Sequence, residues 1–388
     1  MPEIATLLDG HITFDPAGDF EAFARAAPAK WVVYLMSDAD DRPVQLLCVK
    51  NLRASLKRRL GGSEQVGPSR RVNYRDLVRY VRYRRVDSAF EADWLYYEIA
   101  RQVFPQSYQG MVGFRPAWFI HVDPQHNFPR YIKTTDLSRS GLYIGPLADK
   151  HAAARLIQLI EDLFDLCRYY NILVEAPNAS ACAYKEMGKC PAPCDGSLSM
   201  EQYRHLIEWS AKTLVDPADA VRAHKNRMQQ AALALKFESA GKIKTYVEQM
   251  SQLGNGSYRH ARWLKDFVFV SFQHGPRGGT MKVFLILPGH IQEVACVINE
   301  PRWPAELLGA ILSQCEEARS AAVVDDVGTE RIGIVAHHLF SAKAAHGVFV
   351  RLDQLDEKVI LKSYRELQRR PAEEPTETEG VMKELQAL

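Results

Sequence analysis

The feature that most constrains this chain is a cysteine-rich run, CAYKEMGKCPAPCDG at 182–196, preceded by one further cysteine. Cys167, Cys182, Cys190 and Cys194 are spaced fifteen, eight and four residues apart, and they are four of the seven cysteines in the chain. Thiolates hold structural zinc and iron–sulfur clusters, and four of them complete either kind of site. The spacing lacks the two close pairs of an ordinary zinc ribbon. The residues predict a metal or cluster site, with scattered core thiols as the alternative.

The rest of the sequence places this run in a globular, multidomain setting. The 388 residues allow two to four domains, and 47% apolar with 25% charged residues is typical of globular proteins. No apolar run is long enough to span a bilayer, and the first ten residues do not resemble a signal peptide. We therefore expect a cytoplasmic protein without a membrane partner, where clustered cysteines indicate metal or redox chemistry more often than disulfides.

Hydrophobic periodicity predicts an α+β multidomain fold. The expected units are an N-terminal extension (1–25), a small α/β domain (26–110), a β connector with a helical cysteine-cluster domain (111–215), a helical hairpin (216–256), a C-terminal α/β domain (257–370) and a disordered acidic tail (371–388).

Several local expectations matter for the site. A helix over Lys150–Tyr170 is expected to carry Cys167, and GLYIGPLAD (141–149) is expected to be a turn. Charged and apolar residues alternate at helical spacing over Ala218–Leu253, which predicts an antiparallel pair of helices turning near Leu235–Ser239. A strand is expected over Arg331–Val335.

Basic residues are concentrated between residues 53 and 85. The stretch RRVNYRDLVRYVRYRRV (70–86) contains seven arginines and three tyrosines. Basic side chains interleaved with aromatic ones suit a phosphate backbone and exposed bases, and a solvated helix face is the alternative. The predicted DNA contacts are Lys50, Arg53, Arg70, Arg71, Arg75, Arg79 and Arg82.

Three segments resemble the UvrC subunit of bacterial excision-repair nucleases, and they occur along this chain in the order that they have in that family. They are the cysteine run, MQQAALALKFESAGKIKTYV (228–247), and FPRYIKTTD (128–136) followed by YIGP (143–146). The resemblance implies a [4Fe–4S] cluster held by Cys167, Cys182, Cys190 and Cys194, although spacing alone does not distinguish it from zinc. It also implies a UVR motif, a helical hairpin that binds a UvrB-like helicase subunit, here through Leu235, Phe237, Glu238, Ala240 and Ile243.

The N-terminal unit resembles the GIY-YIG nuclease domain of the same family, with its catalytic positions altered. Tyr34 is kept, but Gln45 stands at the second tyrosine, Ser55 at the catalytic arginine and Tyr96 at the metal-binding glutamate. Mg²⁺ needs a carboxylate ligand, and a serine cannot give a phosphate the planar fork of an arginine. Arg53 and Glu98 are the nearby substitutes.

The resemblance implies an excision-repair protein, and these departures predict a catalytically inactive one that binds DNA and a UvrB-like partner on a cluster-stabilised scaffold. One alternative is an active DNA endonuclease using Mg²⁺ or Mn²⁺, and another is a cluster-based redox sensor that binds DNA. The family's RNase H-like nuclease domain and helix–hairpin–helix pair have no recognisable counterpart after residue 260, where Asp325, Asp326 and Asp353 lack a convincing context.

Overall fold

The computed structural model describes residues 6–61, 73–113, 116–298, 303–319, 324–341, 347–371, 375 and 378–379. The described residues contain three antiparallel sheets, each built mainly from one segment of the chain, together with helices. The expected mixture of helices and sheets in several units is therefore confirmed. No described helix combines the length and the apolar character needed to cross a membrane.

The first sheet has the strand order β1-β4-β2-β3-β13. Its strands are β1 (Gly10–Thr13), β2 (Val32–Ser37), β3 (Pro43–Val49), β4 (Tyr80–Arg85) and β13 (Thr378–Glu379). Because β1 pairs with β4, the expected boundary at residue 25 falls inside this unit. The alternative of a solvated helix at 70–86 is wrong for β4, which lies between β1 and β2. In the tail, expected to be disordered, β13 pairs with Leu47 and Cys48 of β3.

Helices cover both faces of this sheet. On one face lie α1 (Phe20–Ala26), α2 (Leu52–Leu60) and α3 (Tyr74–Leu77), and the leucines of α2 pack in a core with Tyr34. On the other face lies α4 (Ala89–Val103), which the Ser88 hydroxyl caps by accepting from the Glu91 N–H at 3.1 Å. A short helix, α5 (Tyr108–Met111), follows.

Helix α4 is covered on two sides. Leu95, Tyr96 and Ile99 pack against the first sheet, whereas Phe90 and Tyr97 pack into a core shared with the C-terminal domain. A helix buried by two partners loses the one-sided pattern of a surface helix. This helix joins the two α/β units.

The middle sheet has the order β6-β5-β7-β8. Its strands are β5 (Trp118–Val122), β6 (Ile132–Thr134), β7 (Leu142–Leu147) and β8 (Arg262–Trp263). The expected turn at 141–149 is wrong, because Tyr143, Ile144 and Leu147 are buried in strand β7. The long helix is shorter than expected: α6 (Lys150–Leu163) ends before the left-handed residue Asp165, whose φ is 51°.

Short elements then carry the cysteine loop to the hairpin. They are α7 (Tyr170–Leu173), α8 (Ala183–Glu186), a 3₁₀ turn at Pro193–Asp195, and α9 (Met200–Val215), whose capping box uses Ser199 and Gln202. The hairpin consists of α10 (Ala218–Leu233) and α11 (Phe237–Ser251), with Leu235 in a left-handed turn at φ 58°. The helical pair matches the sequence prediction, but the turn at 234–236 overlaps the predicted one only at Leu235 and Lys236, because α11 already begins at Phe237.

The C-terminal sheet has the order β11-β10-β9-β12. Its strands are β9 (Phe269–His274), β10 (Thr280–Leu287), β11 (His290–Ile298) and β12 (Val348–Arg351), and its helices are α12 (Trp303–Arg319), α13 (Asp326–Phe340) and α14 (Glu357–Arg369). The expected strand at Arg331–Val335 is wrong, because this segment lies inside α13. Ile332, Ile334 and Val335 are all buried there, so an almost fully buried helix produced a continuous apolar run.

Candidate functional site

The four cysteines of the predicted cluster lie on the loops between α6 and α9. Cys167 follows the left-handed turn that ends α6, and Cys182 precedes α8. Cys190 and Cys194 flank a proline-rich turn in which Ala192 adopts a left-handed φ of 50°. Cys167, Cys190 and Cys194 are buried, Cys182 is half-buried, and all four are free thiols.

Two of these thiols are in direct contact. The hydrogen bond with Cys167 is the largest cause that lowers the pKa of Cys190 to about 6; the Ala192 backbone and Arg168 contribute to the lowering, and burial opposes it. The same contact, together with burial, raises the pKa of Cys167. Burial raises the pKa of Cys194, and the nearby Cys190 and Cys182 add to this effect. Each of the four thiols therefore lies close enough to at least one of the others for the two to interact electrostatically.

The residues fit a thiolate-held group in type, but they do not form a closed ligand sphere. Among the described residues, no three His, Cys, Asp or Glu side chains are arranged to hold a metal ion. The donor set is nonetheless four thiols, which is the ligand type of a zinc or iron–sulfur site. The hydrogen bond with Cys167 also lowers the pKa of Cys190, which is the direction of the thiolate form that such sites require.

Hydrogen bonds to the protein fix the cysteine loop. The Cys167 N–H donates to the Tyr203 hydroxyl at 3.1 Å, and the Ala179 N–H donates to the Cys194 carbonyl at 3.0 Å. Arg168 donates to the Lys189 carbonyl at 2.9 Å and to Asp162 at 2.6 Å. The loop is thus attached to α6 and α9 by its own polar contacts.

Three nuclease positions, the kept Tyr34 and the altered Gln45 and Ser55, lie on the α2 face of the first sheet. Tyr34 Oη and Ser55 Oγ are 2.9 Å apart and buried, and Gln45 Oε1 accepts from Arg59 at 3.3 Å. Tyr96 packs instead with Trp31, Val33 and Cys48 in the core on the opposite face. The structure therefore brings Tyr34, Gln45 and Ser55 together and separates Tyr96 from them.

Neither proposed substitute is placed to restore this site. Arg53 donates to the backbone carbonyls of Ala27 at 3.0 Å and Arg25 at 3.1 Å. Glu98 is 5% exposed and forms a two-point ion pair with Arg331, with N···O distances of 2.6 and 2.9 Å. Glu98 therefore connects α4 to α13 of the C-terminal domain.

A second group of ion pairs, in which Glu91 of α4 takes part, was not predicted from the sequence. Lys282 Nζ lies 2.6 and 2.8 Å from the Glu91 carboxylate and 2.7 Å from Asp87. Burial raises the pKa of Glu91, and Lys282 partly offsets this effect. The available signal was the spacing of Glu91 and Glu98, seven residues apart in a helix that also carries Asp93 and Arg101, which places the two glutamates on one side of the helix.

Most of the predicted DNA-binding arginines in the described residues already bind within the protein. Arg75 donates to the carbonyls of Leu60 and Pro16, both at 2.8 Å, and lies over Phe14 and Phe20. Arg79 donates to carbonyls of its own turn, and Arg82 makes a two-point ion pair with Asp41. Lys50 is exposed, whereas Arg70 and Arg71 lie outside the described residues.

The tip of the hairpin presents apolar side chains to solvent. Leu233, Leu235 and Phe237 are 85%, 74% and 67% exposed. Glu238 pairs with Lys242 on the surface at 3.1 Å, while Ala240 and Ile243 are half-buried. Large exposed apolar side chains clustered at one end of a helical pair are typical of a protein-interaction site.

Comparisons with known proteins agree on one family. Residues 117–213, which include all four cysteines, match the family described as UvrC/Cho excinuclease, middle domain. The UvrABC system protein C of Trichlorobacter lovleyi is 26% identical over 60% of this chain and 39% of its own length. That of Clostridium botulinum is 26% identical over 70% and 44%. The chain thus spans about two-fifths of the length of these relatives. No solved structure matches the chain.

Proposed function

We propose that this chain, whose residues 117–213 match the UvrC/Cho middle-domain family, is a UvrC-like protein that acts in excision repair as a DNA-binding adaptor and does not itself incise. The observation that supports this proposal concerns the carboxylate that a nuclease needs to bind its metal ion. Glu98 is paired with Arg331, and Tyr96 occupies the family's glutamate position inside a core. Neither of these two positions therefore supplies a divalent metal with a carboxylate ligand beside Tyr34 and Ser55.

The four cysteines are proposed to hold a [4Fe–4S] cluster, with zinc as the alternative. When bound, the group would supply metal–thiolate bonds that connect the turn after α6 to the loop before α9. Cys167, Cys182, Cys190 and Cys194 would be its ligands. The direct contact between the Cys167 and Cys190 side chains supports this assignment. Arg168 and Tyr203 hold the loop in place from the protein side.

The hairpin tip is proposed to bind a helical hairpin of a UvrB-like subunit. Leu233, Leu235 and Phe237 offer the apolar contact, and six basic residues against three acidic ones make the hairpin positive between 218 and 251. An acidic partner with an apolar seam complements both features. Glu238, Ala240 and Ile243 belong to the same proposed interface.

The proposal is tested by incubating the anaerobically purified protein with a lesion-containing duplex and Mg²⁺ or Mn²⁺, with and without UvrB. Native gels report binding and denaturing gels report incision. We expect a shifted duplex that stays uncut under all conditions. A discrete nick that depends on metal, and that Glu98→Gln abolishes, would contradict the adaptor role and favour the endonuclease alternative.

A further inference from the structure

The helix that closes the C-terminal domain carries a row of basic side chains on its exposed face. Helix α14 buries Ile360, Tyr364 and Leu367 in the core of this domain. At about 100° per residue, four basic residues fall within about 60° of one another, on the side opposite the centre of the buried face. We call these four exposed residues the basic stripe: Lys358, Lys362, Arg365 and Arg369.

The charges of the basic stripe are not neutralised within the described part of the chain. There, none of the four side chains takes part in a hydrogen bond or an ion pair. Helix α14 contains two carboxylates, and one of them, Glu366, is already paired with Arg370. The other, Glu357, points about 100° around the helix from Lys358. The stripe is therefore a continuous row of free positive charge.

This arrangement of charges opposes helix formation. Lys358 and Lys362 are four residues apart, as are Arg365 and Arg369, and like charges at this spacing repel each other. A solvated helix face is commonly stabilised by opposite charges at the same spacing. Lys358 also lies in the first turn, where the helix dipole disfavours a cation. Four cations kept in one row despite these effects favour an elongated anionic ligand.

We propose that the basic stripe binds the phosphate backbone of duplex DNA. This inference rests on the proposed function in taking DNA as the ligand, and it supplies a binding surface that Arg75 and Arg82 do not, because their guanidinium groups already bind within the first domain. From Lys358 to Arg369 the helix rises about 16 Å, which corresponds to about five phosphates of one strand measured along a duplex.

The surroundings of the stripe favour DNA over a membrane and phosphates over bases. Helix α14 exposes no large apolar side chain that could enter a lipid bilayer, since its apolar face is buried. Its one amide side chain, Gln368, accepts from the Gly279 N–H at 3.1 Å. This contact also brings the turn of the exposed Arg277 to the C-terminal end of the stripe. We therefore expect binding that depends on salt and not on sequence.

The test uses the full-length protein and the fluorescence anisotropy of a labelled, undamaged duplex at several salt concentrations. Lys362→Gln with Arg365→Gln removes the two central charges. Each phosphate contact adds about 0.9 to the logarithmic salt slope, which is about eightfold in affinity at about 0.1 M salt. The double variant is therefore expected to bind about 60-fold more weakly and with a salt slope smaller by about 2. Its melting temperature should not fall, because both side chains are exposed.

A matched control removes two exposed charges elsewhere. Lys150→Gln with Arg155→Gln, on α6, is expected to bind the duplex as the wild type does. Equal weakening in both double variants would reflect net charge alone and would overturn the assignment to the stripe.

The remaining outcomes separate this inference from the proposed function. Unchanged affinity and salt slope in Lys362→Gln with Arg365→Gln overturn the stripe and leave the adaptor proposal standing. Unchanged duplex binding together with lost capture of UvrB would assign the stripe to an acidic protein and also overturn the DNA assignment. Wild-type protein that does not bind the duplex overturns both proposals.

Discussion

The substitution Lys282→Met removes the lysine that pairs with Glu91 and Asp87, and so tests one contact between the first and last α/β units. The Lys282 side chain is 11% exposed, and Glu91 is 1% exposed. The Lys282 and Glu91 charges lie 2.6 Å apart and attract each other by about 6 kcal/mol at an effective dielectric constant near 20. Most of this attraction offsets the cost of removing the two charges from water. Removing only the lysine leaves Glu91 and Asp87 unpaired. We therefore expect the free energy of unfolding to fall by about 3–5 kcal/mol, the usual cost of breaking a buried pair.

The pH dependence of this loss has a definite sign. Burial already raises the pKa of Glu91 while Lys282 is present, and losing the lysine raises this pKa further. A carboxyl group whose pKa is higher in the folded state than in the unfolded state binds its proton more tightly when folded. Its penalty is therefore present at neutral pH and is relieved as the pH falls. The loss in Lys282→Met is expected to shrink as the pH falls from neutral and Glu91 takes up its proton.

Urea unfolding at several pH values measures both quantities. The double variant Lys282→Met with Glu91→Leu is expected to recover much of the stability, since no buried charge remains at that pair. Arg84→Ala, which removes a half-exposed pair with Glu293, is the control and should cost only about 0.2–1 kcal/mol. A loss below about 1 kcal/mol in Lys282→Met, or a loss that does not change with pH, would refute the reasoning.

Three further predictions concern the cysteines, the hairpin and the arginines. Cys194→Ser is expected to lose most of the bound iron or zinc by metal analysis, whereas Cys315→Ser, in the C-terminal core, should retain it; equal retention in both would exclude Cys194 as a ligand. Leu235→Ser with Phe237→Ser is expected to weaken capture of UvrB at least about tenfold in a pull-down without lowering the melting temperature, because both side chains are exposed; unchanged capture would remove the tip from the interface. Arg75→Ala is expected to cost about 1–3 kcal/mol in urea unfolding, by leaving two carbonyls without their donor, while duplex affinity is unchanged; reduced affinity at unchanged stability would instead indicate a phosphate contact.

Local patterns predicted several elements because their signals were local. The hairpin β2–β3, helix α2 and the helical pair α10–α11 all lie where periodicity and turn residues favoured them. The cysteines were identified because their spacing is visible in sequence. Helix α13 and strand β7 were missed because burial on several sides removes the polar half of the pattern on which such predictions depend.

The roles of charged residues were harder to predict, because a sequence does not show what faces a side chain. Arg75 and Arg82 are part of a basic stretch, yet their partners, Leu60, Pro16 and Asp41, are up to 59 residues away in sequence. Glu98 is a candidate metal ligand in the sequence until Arg331, 233 residues later, is found beside it. The roles of these charged residues are therefore set by partners distant in sequence and not by residue type.

The pairing of β7 with β8 has a mechanical consequence. Ile144 and Gly145 are aligned with Trp263 and Arg262, so the chain leaves this sheet after β7 and returns to the adjacent strand at β8. Everything between them, from α6 through the cysteine loop to the helical pair, is a cassette whose two ends are anchored one strand spacing apart. A pull on the far end of the cassette would be transmitted to this short two-strand seam.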